Sequence, residues 1–328
     1  SLAAMKKIVL SLSVALCSTA FTQAFAQTRW DLPSGYGANT FQVQNLQQFA
    51  ADVDKATAGK VKITVHPNAS LFKANEIKRA VQSAQVPIGE FILSGASNEA
   101  PIFGVDSIPF LATSYADSKR LDTASKPLLN KTLAAQGMKL LYTVPWPPQG
   151  LYSAKAVSGL KDLKGTKMRA YNPATSFIAT AVGAQPVTIQ LAELPAALAT
   201  GGVDNFLTSS ASGVDSKLYE SVKFFYDVNA WLPRNAVVIN QKIFDALDKP
   251  TQDAVLQQAS AAEARGWKTS EQKDEEYLKE LAAKGMKIDT TSEGLKKELS
   301  VIGQTMTADW LKLAGDEGKV VIDAFSKK

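Results

Sequence analysis

Apolar residues in the first part of the chain recur with two different spacings, one typical of strands and one typical of helices. Residues 29–32 and 61–65 alternate apolar and polar side chains, and residues 91–94 form a short apolar run, which together predict three strands. The apolar positions between the first two strands are Val43, Leu46, Phe49, Ala50 and Val53. Their spacing predicts a helix that begins at Asn39 or Thr40 and ends before Gly59. Residues 68–85 and 119–136 indicate two further helices. This order predicts an α/β fold with mainly parallel sheets covered by helices.

Two proline-containing segments divide the chain. Residues 145–148 read Pro-Trp-Pro-Pro, which a central strand could not hold without losing hydrogen bonds, and Pro233 interrupts a second such segment before an apolar strand at 236–239. We interpret both as crossings between two lobes with a ligand cleft between them. The predicted domains are 27–146 and 233–270 for lobe I and 147–232 for lobe II, with C-terminal helices at 271–328 packing across both.

A long helical region is predicted from residue 251 to about 284, interrupted only at Gly266. At 1.5 Å per residue it would extend roughly 50 Å, which is longer than a single lobe. We therefore expect a long C-terminal helix that spans both lobes.

The N-terminus has the features of a secretory signal. Met5-Lys6-Lys7 supplies positive charge, residues 8–20 are mostly apolar, and Ala24-Phe25-Ala26 is a small-residue cleavage site. Residues 1–4 precede this start and are interpreted as an added segment or an upstream-start artefact. Residues 1–26 are thus set apart, with cleavage expected near Ala26 and a soluble periplasmic product.

Composition excludes several classes of chemistry. The chain has 36 basic and 31 acidic residues without a basic stripe, so nucleic-acid binding is not expected. The single cysteine lies in the signal, and the single histidine, His66, would have to carry any catalytic triad alone. Nucleophile-elbow, zinc-protease and phosphate-loop motifs are absent from the sequence. We expect no enzyme activity, no cofactor and no metal site.

Arg169 is the strongest candidate for binding. Gly165 can begin a short strand from a turn, and Asn172 with Pro173 provides an N-cap and a first helical residue directly after the strand. Arg169 would therefore lie at a strand's carboxyl end beside a helix N-terminus, where open α/β sheets bind ligands and where an anion is favoured. The spacing alone is equally compatible with Arg169 being a solvated arginine on the surface.

The stretch 162–173 resembles the "DLKGxKxR" signature of the DctP-like solute-binding proteins of tripartite ATP-independent periplasmic (TRAP) transporters. Residues 103–111 and 194–204, together with the pattern Asn68, Leu71-Phe72, Glu76-Ile77 and Ala80-Val81, extend the similarity in family order. The resemblance implies a two-lobed binding protein that closes on its ligand, a long helix across both lobes, and an arginine at position 169 that pairs with a substrate carboxylate.

Two departures from the family pattern bear on the ligand. The region 146–152 has no second arginine, and Thr208 stands where an asparagine is usual. With one buried cation a dicarboxylate would keep a poorly compensated charge, so a monocarboxylate is favoured. The candidate ligand contacts are Arg169, Trp146, Gln149, Tyr152, Tyr171, Asn172, Phe206, Thr208, Trp231 and, on a facing loop, Tyr36. Aromatic or branched carboxylates, 2-keto acids and cyclic amide acids such as pyroglutamate all fit.

The leading hypothesis is a periplasmic receptor that captures a small organic monocarboxylate and delivers it to TRAP membrane permease subunits. The alternative is a periplasmic ligand sensor that presents its closed form to a receptor kinase. The sequence predicts the same fold and pocket for both.

Overall fold

The computed structural model describes residues 26–327, and the predicted signal segment lies almost wholly outside them. The strands are β1 Thr28–Pro33, β2 Val61–His66, β3 Ile88–Ile92, β4 Met138–Pro145, β5 Gln149–Ser153, β6 Lys167–Ala170, β7 Gln185–Thr188, β8 Asn205–Ser209, β9 Phe224–Tyr226, β10 Arg234–Asn240 and β11 Lys287–Asp289. The helices are α1 Phe41–Ala56, α2 Ile77–Gln82, α3 Tyr115–Ala135, α4 Pro173–Ala181, α5 Leu194–Ala199, α6 Ser210–Asp215, α7 Gln241–Asp245, α8 Lys249–Ala283 and α9 Glu293–Ser326.

The strands form two groups that correspond to two lobes. The first group contains the pair β1-β2 and the sheet β3-β10-β4, and the second is the sheet β11-β9-β5-β8-β6-β7. Apolar side chains of α1 and α8 pack on one face of β3-β10-β4, and those of α2 and α3 pack on the other, with α9 packed against α3. The predicted α/β, two-lobed fold class is confirmed. The boundaries at 146/147 and 232/233 stay predictions.

The expectation of mainly parallel sheets needs correction. Within residues 26–327, four strand pairings are parallel and four are antiparallel. A parallel neighbour requires a long crossover, usually a helix, whereas β5 and β10 enter their sheets directly from the other lobe. Both therefore run antiparallel to their neighbours.

Backbone hydrogen bonds join the two crossing segments. Trp146 N donates to Pro233 O at 2.8 Å, and Gln149 N donates to Trp231 O at 2.8 Å. The crossings thus pair with each other as they pass between the lobes, and this fixes the start of β5 beside the end of the second crossing.

Two long helices span both lobes. Helix α8 contributes Val255 to the core of the first lobe and Leu281 to a core of the second. Helix α9 contributes Leu299 to the second lobe and Phe325 to the first, and it is kinked between them at Gly315, whose φ of 63° and ψ of −146° are not helical. Gly266 does not interrupt α8, contrary to expectation: a Cβ there would lie only 2.4 Å from Val144 Cγ2, so the glycine permits close packing on β4.

Two local predictions were wrong. The helix expected at 68–85 is reduced to a short 3-10 turn and α2, because Asn68 and Ala69 take positive φ angles of 60° and 56° and bond to the loop after β1. The strand expected at 91–94 is β3, which ends at Ile92 and continues as a 3-10 turn.

Candidate functional site

Arg169 lies where the sequence predicted it, near the carboxyl end of β6 and before helix α4. Asn172 is the N-cap of that helix: its Oδ1 accepts a hydrogen bond from Thr175 N at 2.8 Å, and Pro173 follows as the first helical residue. Strand β6 lies between β7 and β8, so the Arg169 side chain starts from the interior of the sheet. It is only 3% exposed.

Arg169 is a buried cation without an acidic neighbour in the part of the chain that the structure describes. Its Nε donates to Ile189 O at 2.8 Å, and its guanidinium lies over the Tyr171 ring at 4.8 Å. Burial lowers the pKa of Arg169 to about 10, and no carboxylate counteracts that effect. The guanidinium remains charged at neutral pH and is suited to a carboxylate guest.

A narrow pocket surrounds the guanidinium. It is lined by Gly35, Tyr36, Ala74, Ile92, Trp146, Gln149, Arg169, Tyr171, Gln190, Leu191, Thr208, Ser212 and Pro233. The space between protein atoms is about 430 Å³ with its mouth included, but only about 30 Å³ can be reached by the centre of a water molecule. Such a confined space favours a small ligand.

The pocket walls combine aromatic rings with neutral polar groups. Tyr36 and Trp146 meet edge to face, with ring centroids 4.9 Å apart. Tyr171 Oη donates to Gln149 Oε1 at 2.9 Å, which leaves the Gln149 amide nitrogen as a donor for a ligand. Thr208 adds a hydroxyl group. Arg169 is the only charged side chain among these lining residues of the described chain.

The structure brings six of the ten predicted residues to this pocket. They are Arg169, Trp146, Gln149, Tyr171, Thr208 and Tyr36. Asn172 does not line it, but its Nδ2 donates to Ser94 Oγ at 2.8 Å and so joins the lobes beside the site.

Tyr152, Phe206 and Trp231 do not line the pocket. Tyr152 and Phe206 stack on each other at 5.0 Å in a core cluster of the second lobe, and neither is exposed. Trp231 is fully buried in another cluster of that lobe. Tyr152 and Phe206 lie deeper in the sheet than the strand ends that form the pocket, whereas Trp231 lies in the crossing before β10 with its ring turned into the core.

Sequence reasoning missed seven lining residues: Gly35, Ala74, Ile92, Gln190, Leu191, Ser212 and Pro233. Most lie on turns directly after strands or in a crossing. The rule that pockets form at strand ends could have indicated Ile92 and Gln190, but small residues such as Ala74 carry no sequence signal.

The arrangement is suited to binding a small anion. One cation, neutral hydrogen-bonding groups and rings converge without an acid–base pair or an activated nucleophile among the lining residues. In the described residues 26–327, none of the helices has the length and apolar character needed to cross a bilayer. Fold and site together define a two-lobed solute-binding receptor.

Comparison with known proteins agrees with this class. Residues 34–313 match the DctP family, bacterial extracellular solute-binding protein family 7, and the chain belongs to that family. A curated solute-binding protein of Albidiferax ferrireducens is 27% identical, with 88% of this chain and 89% of that protein covered.

Solved structures are more similar in sequence. DctP6 of Bordetella pertussis, an extracytoplasmic solute receptor binding pyroglutamic acid, is 51% identical with a TM-score of 0.90, covering 92% of this chain and all of its own. A marine metagenome TRAP solute-binding protein specific for pyroglutamate is 43% identical with a TM-score of 0.91, covering 93% and 100%. These similarities confirm the TRAP resemblance and give no support to the receptor-kinase alternative.

Proposed function

We propose that the protein is the periplasmic receptor of a TRAP transporter and that it captures pyroglutamate or a closely similar cyclic amide acid for the membrane permease subunits. Its signal peptide, cleaved near Ala26, would direct it to the periplasm. The observation that carries the proposal is the single buried guanidinium of Arg169 in a narrow slot with otherwise neutral walls.

The charge of the pocket favours a monoanion. Arg169 can form a two-point contact with one carboxylate, and the lining contains no second cation among the described residues. A second carboxylate would be buried without a partner, which costs several kcal/mol. Dicarboxylates are therefore disfavoured.

The remaining walls suit a flat lactam ring. Tyr36 and Trp146 supply aromatic surface, while the Gln149 amide nitrogen can donate to a lactam carbonyl. Thr208 and Gln190 offer oxygen acceptors to a lactam N–H group. Relatives at 51% and 43% identity that bind pyroglutamate support this choice.

Isothermal titration calorimetry with four probes tests the proposal. L-Pyroglutamate should bind. 2-Pyrrolidinone should bind more weakly because it lacks the carboxylate. L-Proline should bind more weakly because it lacks the ring carbonyl and brings its ammonium cation near Arg169. Succinate tests whether the pocket accepts a ligand with two carboxylates. A thermal shift should accompany binding, since a ligand at 100 times its Kd stabilises the fold by about 2.7 kcal/mol. Binding of succinate as tight as that of L-pyroglutamate would refute the assignment.

A further inference from the structure

Glu90 is a carboxyl buried directly beneath the ligand pocket. It is only 2% exposed, and it lies on β3 two residues before Ile92, which lines the pocket. Side chains two residues apart point to the same face of a strand, so Glu90 faces the pocket side one step deeper in the sheet. Nothing in the binding role described so far uses this group.

One contact chain leads from Glu90 to Tyr36. Ser34 Oγ donates to Glu90 Oε1 at 2.7 Å, and the same Ser34 oxygen accepts from Tyr36 N at 3.2 Å. Residues 68 and 69 fix the outer side of this loop, since Asn68 N donates to Tyr36 O and Ala69 N to Ser34 O. The backbone of Tyr36 is thereby held from two sides.

Asn235 lies next to Glu90 and binds Trp146. Trp146 Nε1 donates to the buried Asn235 Oδ1 at 2.8 Å. Asn235 pairs with Ile92 in the register of β10 and β3, so its side chain lies on the same face as Glu90 and diagonally next to it. Asn235 Nδ2 has no hydrogen-bond partner within the described residues. Glu90 is therefore linked to Tyr36 by hydrogen bonds through Ser34, and it lies next to the residue that binds the Trp146 ring.

We infer that Glu90 is a positioning residue for the pocket, whose buried carboxyl holds Tyr36 through Ser34 and packs beside Asn235, the hydrogen-bond partner of Trp146, and so sets the width of the aromatic slot. The inference rests on the proposed function for the identity of the ligand but not for the geometry. A rigid slot lowers the ordering cost of binding, because its rings need no rearrangement when a flat ligand enters.

The ionisation of Glu90 gives a readout specific to this role. Burial raises the pKa of Glu90 to about 7, while Ser34 and Asn235 oppose the rise. The titratable groups that respond to its charge are Tyr36 and Tyr142, and no cation lowers its pKa. Proton loss near neutral pH should therefore place a negative charge beside Asn235 and change the surroundings of Trp146.

The test compares Glu90→Gln and Glu90→Ala with a matched control, Asp215→Asn. Asp215 is also a carboxyl whose pKa burial raises to about 7, but it lies on α6 and does not line the pocket. The Kd for L-pyroglutamate is measured by calorimetry. Glu90→Ala should weaken binding about tenfold or more, while Glu90→Gln, which keeps an acceptor for Ser34, should stay within about threefold of the unchanged protein.

Ligand-free protein supplies the second measurement. The fluorescence of Trp146, obtained by difference from Trp146→Phe in each background, should show a step near pH 7 that is absent in Glu90→Gln and retained in Asp215→Asn. A retained step in Glu90→Gln, or unchanged affinity in folded Glu90→Ala, would overturn the inference. If the unchanged protein does not bind L-pyroglutamate, the proposed function fails, and the fluorescence step still decides the role of Glu90.

Discussion

Replacing Arg169 with methionine should change the stability of the ligand-free protein and its affinity for ligand in opposite directions. Burial lowers the pKa of Arg169 to about 10 from a usual value of about 12.5. This difference corresponds to about 3 kcal/mol spent on keeping the cation buried. The cost is present at every pH below about 10, because the guanidinium is charged there in both folded and unfolded protein.

Methionine removes that cost and one hydrogen bond. The lost contact is Nε to Ile189 O at 2.8 Å, and an unsatisfied buried carbonyl costs about 1–3 kcal/mol. The net expectation is a ligand-free protein that is more stable by about 1 kcal/mol. Binding of L-pyroglutamate should weaken by about 2–5 kcal/mol, since its carboxylate loses its only cationic partner in the pocket.

A second buried arginine provides the control. Arg234 is 1% exposed but is paired with Asp106 at 3.0 Å and Asp122 at 2.6 Å. Arg234→Met leaves the buried Asp106 carboxylate without a cation and leaves Asp122 with Lys126 alone, at 3.3 Å, so it should destabilise the fold by about 3–5 kcal/mol. Urea denaturation gives the stabilities, and calorimetry gives the affinities. The reasoning is refuted if Arg169→Met destabilises the protein as much as Arg234→Met does, or if it leaves the affinity unchanged.

Three further changes test other parts of the structure. The pKa of Glu90, raised from about 4.5 to about 7 by burial, gives a stabilisation that is full below pH 4.5 and lost as the pH rises through 7. The unfolding free energy should therefore decrease between pH 5 and pH 8 by about 3 kcal/mol less in Glu90→Gln than in the unchanged protein. Urea melts that show the same pH dependence in both proteins would contradict this. Ser94→Ala removes the 2.8 Å hydrogen bond from Asn172 that joins the lobes. The ligand off-rate in stopped-flow experiments should rise by about two- to tenfold. An unchanged rate would show that this bond does not stabilise the closed form. Gly266→Ala would place a methyl 2.4 Å from a side chain of β4 and should cost about 1–3 kcal/mol, whereas Gly294→Ala, with open space around it, should be nearly neutral in the same melts.

The sequence by itself determined the local unit that presents the cation. A turn glycine, a short strand, and an N-cap followed by proline act within a dozen residues, so their consequences do not depend on distant contacts. The structure has this strand and helix at 167–170 and 173–181. Helix α1 and its cap at Thr40 could be predicted for the same reason, because periodic apolar residues and a capping side chain are local signals.

Tertiary structure decided strand direction and the depth of each side chain. Thr208 and Phe206 share a face of β8, yet Thr208 at the strand end lines the pocket and Phe206 packs on Tyr152 in the core. No pattern in the sequence states how far along a strand the neighbouring lobe reaches. The residues from the facing lobe, such as Ile92 and Ala74, join the site only because β3 and the turn after β2 meet β6 across the cleft. Burial of one lobe's surface against the other is a long-range property, and it cannot be derived from local spacing.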